Sequence, residues 1–151
     1  MRIAATVAAE LRRESQRSAP LETGGVLLGF VDADAPFAVE VLAQAGPGPD
    51  AEHRRHRFLP DSAWQTAKIA EVYSRSGRVI TYLGDWHSHP GGSARPSRLD
   101  RRTAARIARS KAARAPRPLM LIVSGASLEE LNAYRFARLR LRTAELTVVA
   151  T

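Results

Sequence analysis

The spacing of apolar residues along the chain predicts three amphipathic helices. In residues 4–17 the apolar side chains fall on one side and the arginines on the other, and Pro20 ends the helix. Residues 60–77 begin with an aspartate and a serine that can cap a helix, and they close on a glycine. The third segment covers residues 98–115 and ends at Pro116.

Runs of alternating or continuous apolar residues predict strands between these helices. The run at 118–125 is apolar almost throughout, which is typical of a central strand. A turn is expected at 32–36, and the last two runs are expected to close the sheet as an antiparallel pair. The expected strands are 23–31, 37–45, 55–60, 78–89, 118–125, 131–139 and 144–150. Strands that alternate with helices, with mixed strand directions, indicate a single α/β domain over residues 1–151.

Composition restricts the chemistry that is available to the chain. Of its 151 residues 44% are hydrophobic and 25% are charged, which is ordinary for one globular domain. It contains no cysteine, which excludes disulfides, thiolate zinc sites and cysteine nucleophiles. No apolar run is long enough to span a membrane, and the first residues lack the pattern of a signal peptide. We therefore expect a cytoplasmic protein.

Basic residues are concentrated in two stretches of the chain. The formal net charge is +8, from 23 basic and 15 acidic residues. Between Arg98 and Arg117 eight basic side chains accompany a single acid, Asp100. Such a stripe is compatible with nucleic acid or an acidic protein as a partner, and equally with a solvated helix face. A second arginine-rich segment contains His53 and His56, which lack the spacing of metal ligands and are expected to be solvated or at most to contact substrate.

The segment WHSHPGGSARPSRLD, residues 86–100, contains a candidate metal site. His87 and His89 lie two positions apart at the end of a predicted strand, so both imidazoles point to the same side. Asp100 falls in the first turn of the next helix, and the glycine-containing connection allows that turn to fold back over the strand end. Two imidazoles and one carboxylate leave a fourth tetrahedral position open, as in catalytic zinc sites. Ser97 and Asp100 also have the spacing of a capping box, which is an alternative explanation for that pair.

The pattern His87-x-His89, seven residues, Ser97, two residues, Asp100 resembles the signature of the JAMM (MPN-plus) zinc metalloproteases, in their small bacterial Prok-JAB branch. That family also needs an upstream glutamate, and Glu22 in PLETGGVLLGF is the matching residue. The resemblance extends to the order of helices and strands over about residues 1–125. It implies the MPN fold, an α/β arrangement in which helices flank a mixed β-sheet, similar to the cytidine-deaminase sandwich.

The resemblance also implies a role for each matching residue. His87, His89 and Asp100 would hold one Zn²⁺ ion per chain. Glu22 would hold the attacking water, act as general base and pass the proton to the departing amine. Ser97 would donate a hydrogen bond to the tetrahedral oxyanion.

Four further residues are candidates for substrate contacts. Gly24 and Gly25 either allow a close approach of the backbone to the site or mark an irregular strand. Ser93 and Arg95 lie in the connection after the histidines, for which a solvated loop is the alternative. Trp86 alternates with the two histidines, so we expect it to face away from the metal and into the core.

Enzymes of the resembled family cleave after the C-terminal glycines of ubiquitin or ubiquitin-like proteins. The resemblance therefore implies a zinc-dependent (iso)peptidase that matures a ubiquitin-like modifier or removes it from its targets, in a bacterial conjugation pathway of anti-phage defence. Its partners would be the ubiquitin-like protein, its conjugates, and the E1-like and E2-like proteins of the same operon. No membrane partner is expected.

Other functions stay open at this level. A sulfur-carrier peptidase in cofactor or amino-acid biosynthesis would expose a Gly-Gly end for thiolation. A DNA-associated relative would use the basic helix, although such relatives carry H-N-H-P where Ser88 gives H-S-H-P. A metal-free scaffold would not need the complete set of candidate ligands. Iron oxygenases also use two histidines and a carboxylate, but usually with the carboxylate between the histidines.

Overall fold

The computed structural model describes residues 1–32, 34–35 and 38–150. The helices are α1 (Ala5–Ser18), α2 (Ser62–Arg75) and α3 (Arg98–Arg109). The strands are β1 (Arg2–Ala4), β2 (Gly24–Val31), β3 (Val39–Ala45), β4 (Glu52–Arg54), β5 (Arg57–Leu59), β6 (Thr81–Ser88), β7 (Leu119–Ser124), β8 (Glu130–Ala137), β9 (Arg140–Thr143) and β10 (Thr147–Val149). The turn expected at 32–36 and the start of the strand expected at 37–45 lie partly outside the described residues.

A mixed eight-stranded sheet forms the centre of the fold, in the order β10-β1-β3-β2-β6-β7-β8-β9. β1 is parallel to both of its neighbours and β6 is parallel to β7, whereas the other neighbouring strands are antiparallel. β4 and β5 form a separate antiparallel hairpin. The α/β class and the mixed sheet that the sequence predicts are thereby confirmed.

Helices cover both faces of the sheet. Successive side chains of a strand point to opposite sides, so a strand that is apolar throughout needs a packing partner on each face. In β7, Leu121 belongs to the same buried cluster as Trp86 and the apolar side of α1. Met120 and Ile122 face the other way and pack against Ala104 of α3. Trp86 is therefore in the core, as predicted, and β7 is buried throughout. Among the described helices, none is long and apolar enough to cross a membrane.

Side-chain caps decide where α2 and α3 begin and end. Asp61 Oδ1 accepts a hydrogen bond from the backbone N–H of Trp64 at 3.0 Å, so α2 begins where the sequence predicts. α3 ends at Arg109 rather than at residue 115. The backbone of Ser110 becomes extended, and its hydroxyl accepts the N–H of Ala113 at 3.3 Å in place of the next helical hydrogen bonds.

The closing antiparallel pair predicted for 131–139 and 144–150 is wrong. β8 instead turns back into β9 through Arg138 and Leu139, which both have positive φ, as a two-residue hairpin turn requires. β10 lies at the opposite edge of the sheet and pairs in parallel with β1. The sequence did not predict β1, because three residues are too few to show an alternating pattern before the helical one begins.

An irregularity in β6 changes which of its side chains share a face. The register with β2 shifts near Gly84, where a Cβ atom would lie 2.1 Å from a backbone oxygen of β7. The extra residue resets the alternation, so Tyr82 and Asp85 lie on the same side although they are three positions apart. Tyr82 Oη donates a hydrogen bond to Asp85 Oδ1 at 2.7 Å. This pair faces the same side of the sheet as His87.

Candidate active site

The side chains of His87, His89 and Asp100, here called the His-His-Asp cluster, converge where β6 ends and α3 begins. The two histidine Nε2 atoms lie 3.0 Å apart. His87 Nε2 is 3.3 Å from Asp100 Oδ1, and His89 Nε2 is 3.6 Å from Asp100 Oδ2. Ligand atoms bound at about 2.0–2.1 Å to one tetrahedral zinc ion are separated by about 3.3 Å. The cluster therefore has the dimensions of a site for a divalent metal ion.

A hydrogen bond on the far side of its ring orients His89. The Nδ1 atom lies 2.7 Å from the carbonyl oxygen of Ser93, which can accept but not donate. Nδ1 therefore carries the proton, and Nε2 presents a lone pair to the cluster. The hydroxyl of Ser93 accepts the backbone N–H of Arg95 at 3.1 Å, and Arg95 itself is exposed. The structure thus places Ser93 behind a histidine of the cluster.

The first turn of α3 holds Asp100 in place. Its N–H donates to Ser97 Oγ at 3.2 Å, and its Oδ2 accepts the N–H of Ser97 at 2.5 Å, which completes a capping box. Burial on its own would raise the pKa of Asp100, but hydrogen bonds with His87 and His89 outweigh burial and hold the pKa below its usual range. The carboxylate is therefore ionised, as a metal ligand must be.

Glu22 immediately precedes Thr23 and β2, and the β4–β5 hairpin fixes its backbone. The N–H of Glu22 donates to Arg54 O at 2.8 Å, and its carbonyl accepts from His53 Nδ1 at 3.0 Å. Its side chain lines the same groove as His87 and Asp100. Burial raises the pKa of Glu22, and the attraction of the nearby histidines reduces this rise without cancelling it. A raised pKa makes this carboxylate a better proton acceptor.

Hydrogen bonds between Thr23 and Ser88 join the Glu22 segment to β6. The N–H of Thr23 donates to Ser88 Oγ at 3.0 Å, and the N–H of Ser88 donates to Thr23 O at 2.8 Å. Both residues are completely buried. Because Ser88 lies between the two histidines of the cluster, Glu22 and the cluster are held in one rigid arrangement.

The two glycines at the start of β2 lie where neighbouring atoms leave no room for a side chain. Gly24 pairs with His87, and Gly25 pairs with Trp86. A Cβ at Gly24 would lie 2.5 Å from Trp86 O and 3.0 Å from His87 Cβ. A Cβ at Gly25 would lie 2.1 Å from Ala45 O. Gly24 therefore lets β2 approach the strand that carries His87, whereas Gly25 lets it approach β3; contact of either glycine with substrate stays a prediction.

A groove of about 480 Å³ leads away from the cluster, between the β4–β5 hairpin and α3. Its apolar contacts include Phe58 and Leu59 on the hairpin and Leu99 on α3. Arg102 and Arg106, one helical turn apart, line the same groove from α3.

The sequence reasoning missed three residues of this region. His53 is half-buried rather than fully solvated, because its ring lies against Phe58 and its Nδ1 donates to the backbone carbonyl of Glu22. Tyr82 was missed because the irregularity of β6 cannot be read from alternation. Asp85 offered a usable signal, since it lies two positions before His87 and therefore on the same face.

Comparisons with known proteins identify the family of this chain. The profile of the prokaryotic homologs of the JAB domain (Prok-JAB) matches residues 4–139. A probable metalloprotease of Sinorhizobium fredii is 41% identical over 121 residues, which cover 80% of this chain and 73% of that protein. A CD-NTase/cGAS isopeptidase of Enterobacter hormaechei is 31% identical over 112 residues, or 69% of this chain and 56% of the relative. One from Pseudomonas aeruginosa is 30% identical over 69% of this chain and 63% of the relative.

Solved structures confirm the fold that the resemblance implies. A solution structure of a Desulfitobacterium hafniense protein superposes with a TM-score of 0.74 at 21% identity, covering 100% of this chain and 94% of that one. A crystal structure of a JAB1/MPN domain protein from Archaeoglobus fulgidus gives a TM-score of 0.56 at 19% identity, covering 99% and 97%. The profile, the relatives and the fold together show that the chain belongs to the Prok-JAB family, the prokaryotic homologs of the JAB domain.

Proposed function

We propose that residues 1–151 form a single domain that acts as a zinc-dependent (iso)peptidase. His87, His89 and Asp100 hold one Zn²⁺ ion, and Glu22 serves as the general base. The observation that carries this proposal is the spacing of the His-His-Asp cluster, whose Nε2 and carboxylate oxygen atoms lie 3.0–3.6 Å from one another, with Glu22 in the same groove.

The residues of the site can divide the work of hydrolysis between them. A bound zinc ion supplies Lewis acidity, which lowers the pKa of a coordinated water to about 7 and polarises a carbonyl. Glu22 takes a proton from the attacking water and delivers it to the departing amine, for which its raised pKa is suited. The Ser97 hydroxyl accepts the N–H of Asp100 through its oxygen, so its hydrogen can be donated to the oxyanion.

We propose an extended glycine tail of a ubiquitin-like protein as the part of the substrate that enters the groove. Glycine has no side chain to clash with the hairpin and α3, and an extended tail can bond through its backbone. Cleavage after this tail either matures the modifier or releases it from a target in the cytoplasm. E1-like and E2-like proteins of the same conjugation pathway are the proposed partners, and a sulfur-carrier protein with a Gly-Gly end is the alternative substrate.

The isopeptidase relatives favour a second candidate substrate. Two proteins that are 30–31% identical to this chain are named CD-NTase/cGAS isopeptidases. This chain spans only 56% and 63% of the lengths of these relatives. We therefore propose, rather than assign, the isopeptidase activity of the relatives for this protein. We propose that the isopeptide bond links a CD-NTase to its target, in a pathway of antiviral defence.

A panel of fusion proteins tests the proposal. Purified protein loaded with zinc is incubated with ubiquitin-like, sulfur-carrier and CD-NTase tails, each joined to a reporter by a peptide bond or to a lysine by an isopeptide bond. We expect cleavage of at least one class, and loss of that cleavage in the presence of a chelator. Zinc-loaded protein that cuts no member of the panel would contradict the proposal.

Two substitutions distinguish the role of the metal ligands from the role of the general base. Glu22→Gln removes the proton acceptor and leaves the cluster intact, so we expect full metal content and no cleavage. His89→Ala removes a ligand, so we expect both metal and cleavage to be lost. Metal content is measured on purified protein, and cleavage by either variant at the wild-type rate would contradict the assigned roles.

A further inference from the structure

Three arginines line the groove, and among the described residues none of them forms a salt bridge with an acid of the groove. Arg57 comes from β5, and Arg102 and Arg106 come from α3. All are exposed, and within the described part of the chain none of them forms a salt bridge. We call this set the arginine wall.

The acids that line the same groove already have other partners. Asp100 is bonded to both histidines of the His-His-Asp cluster and to the N–H of Ser97. Glu22 faces the same histidines. Asp85 accepts the hydroxyl of Tyr82 and interacts electrostatically with Arg106, while Arg57 and Arg102 have no such neighbour among these acids. The acids of the groove are thus held by the histidines, Ser97 and Tyr82, which leaves the guanidinium groups of Arg57 and Arg102 available to an acidic ligand.

The position of α3 places two arginines of the arginine wall along the groove. Leu99, Thr103 and Arg106 recur at the spacing of one helical face, and Arg102 lies beside them on the same side. This is the face of α3 that lines the groove, with Asp100 at its end near the histidines. A tail that reaches the histidines through this groove would therefore pass the wall close to the His-His-Asp cluster.

We propose that the arginine wall is a subsite for an acidic side chain, Asp or Glu, which the substrate tail carries within a few residues of the scissile bond. The inference rests on the peptidase function proposed above and names a property of its substrate. A guanidinium group binds a carboxylate through two parallel hydrogen bonds, which no neutral side chain can reproduce. The wall thus selects acidic tails and rejects lysine- or arginine-containing ones by repulsion.

Tail peptides that differ in one charge test this subsite. Fluorescent peptides that carry Gly-Gly directly before the scissile bond and a short leaving segment after it, with Glu, Gln or Lys at the third or fourth position before that bond, are bound to zinc-loaded Glu22→Gln protein, which cannot turn them over. We expect the Glu peptides to bind about tenfold more tightly than the Lys peptides, from exposed charge pairs of modest strength. With wild-type protein the same difference should appear in KM rather than in kcat.

Charge reversal in the protein should invert this preference. The double variant Arg57→Glu/Arg102→Glu is expected to weaken binding of the Glu peptides by about tenfold and to strengthen binding of the Lys peptides. Arg109→Glu is the matched control, because it reverses the charge of an exposed residue of α3 outside the groove. It should leave the ratio of the affinities for the Glu and Lys peptides unchanged.

Equal binding of the three peptides would overturn the acidic subsite, while cleavage of any of them would leave the peptidase function standing. The acidic subsite would also be contradicted if the charge-reversal variants kept the peptide preference but lost binding to duplex DNA. That result would indicate that the arginines bind nucleic acid. Because binding is measured without turnover, a preference for Glu would support the subsite even if the chosen bond is not cut.

Discussion

Gly24→Ala should damage both stability and activity, because the new methyl group meets the strand that carries the histidines. Its Cβ would lie 2.5 Å from Trp86 O, 2.9 Å from Phe58 Cε1 and 3.0 Å from His87 Cβ. Two of these contacts belong to β6, so β2 and β6 must separate by several tenths of an ångström. The Cβ of His87 would be displaced with its strand.

Two opposing effects determine how much Gly24→Ala changes the free energy of unfolding. Replacing glycine by alanine reduces the conformational freedom of the unfolded chain and stabilises by about 0.4–1 kcal/mol where the site has room. Overpacking costs about 1–3 kcal/mol and dominates at Gly24, so we expect a net loss of about 1–2 kcal/mol. For a domain of this size that corresponds to a fall in Tm of about 2–8 °C.

Gly46→Ala is the matched control for this experiment. A Cβ at Gly46 meets no atom within 4 Å, so the variant should match or slightly exceed the stability of the wild type. Tm is measured by calorimetry, and kcat by cleavage of a Gly-Gly-tailed fusion. We expect kcat of Gly24→Ala to fall about tenfold, since small displacements of reacting groups are costly. If both variants had the Tm and kcat of the wild type, close packing at Gly24 would have no role in the site.

Three further outcomes are expected. Leu121→Ala should lower the free energy of unfolding by about 2–5 kcal/mol in denaturant titration, since Leu121 is completely buried in β7, and a loss below 1 kcal/mol would contradict its place in the core. A chelator should lower Tm as well as activity, and zinc should restore both; an unchanged Tm would indicate that no ion links β6 to α3. His53→Asn should keep more activity than His53→Phe, because an amide N–H can still donate to the Glu22 carbonyl; equal kcat values would remove that role.

Much of the fold can be predicted from the sequence because most of its elements are amphipathic. The long strands and all three helices of the described chain follow from periodicity, since each buries a defined face. The hairpin between β8 and β9 escapes prediction because its turn residues, Arg138 and Leu139, have positive φ without being glycine or asparagine. The pairing of β10 with β1 could not be predicted, because it joins the two ends of the chain and depends on tertiary contacts that local residue spacing does not encode.

The spatial arrangement of the site was only partly accessible from the sequence. His87 and His89 share a face because of strand alternation, which is a local property. Glu22 lies far from them in sequence, and the resemblance rather than any spacing rule connected it to the cluster. Its actual supports, His53 and the Thr23–Ser88 hydrogen bonds, arise from packing of the hairpin and β2 against β6. Such supports depend on tertiary contacts, which a pattern of residue types does not contain.

The two explanations that the sequence offered for Ser97 and Asp100 are compatible in the structure. Asp100 Oδ2 accepts the N–H of Ser97 and still lies 3.6 Å from His89 Nε2, while Oδ1 lies 3.3 Å from His87 Nε2. One carboxylate therefore caps α3 and completes the cluster. Because the cap sets where α3 begins, it also sets the direction in which Arg102 and Arg106 point into the groove. A loss of the cap should thus disturb metal binding and recognition of the tail together, although no ion pair among the described residues joins these arginines to the cluster.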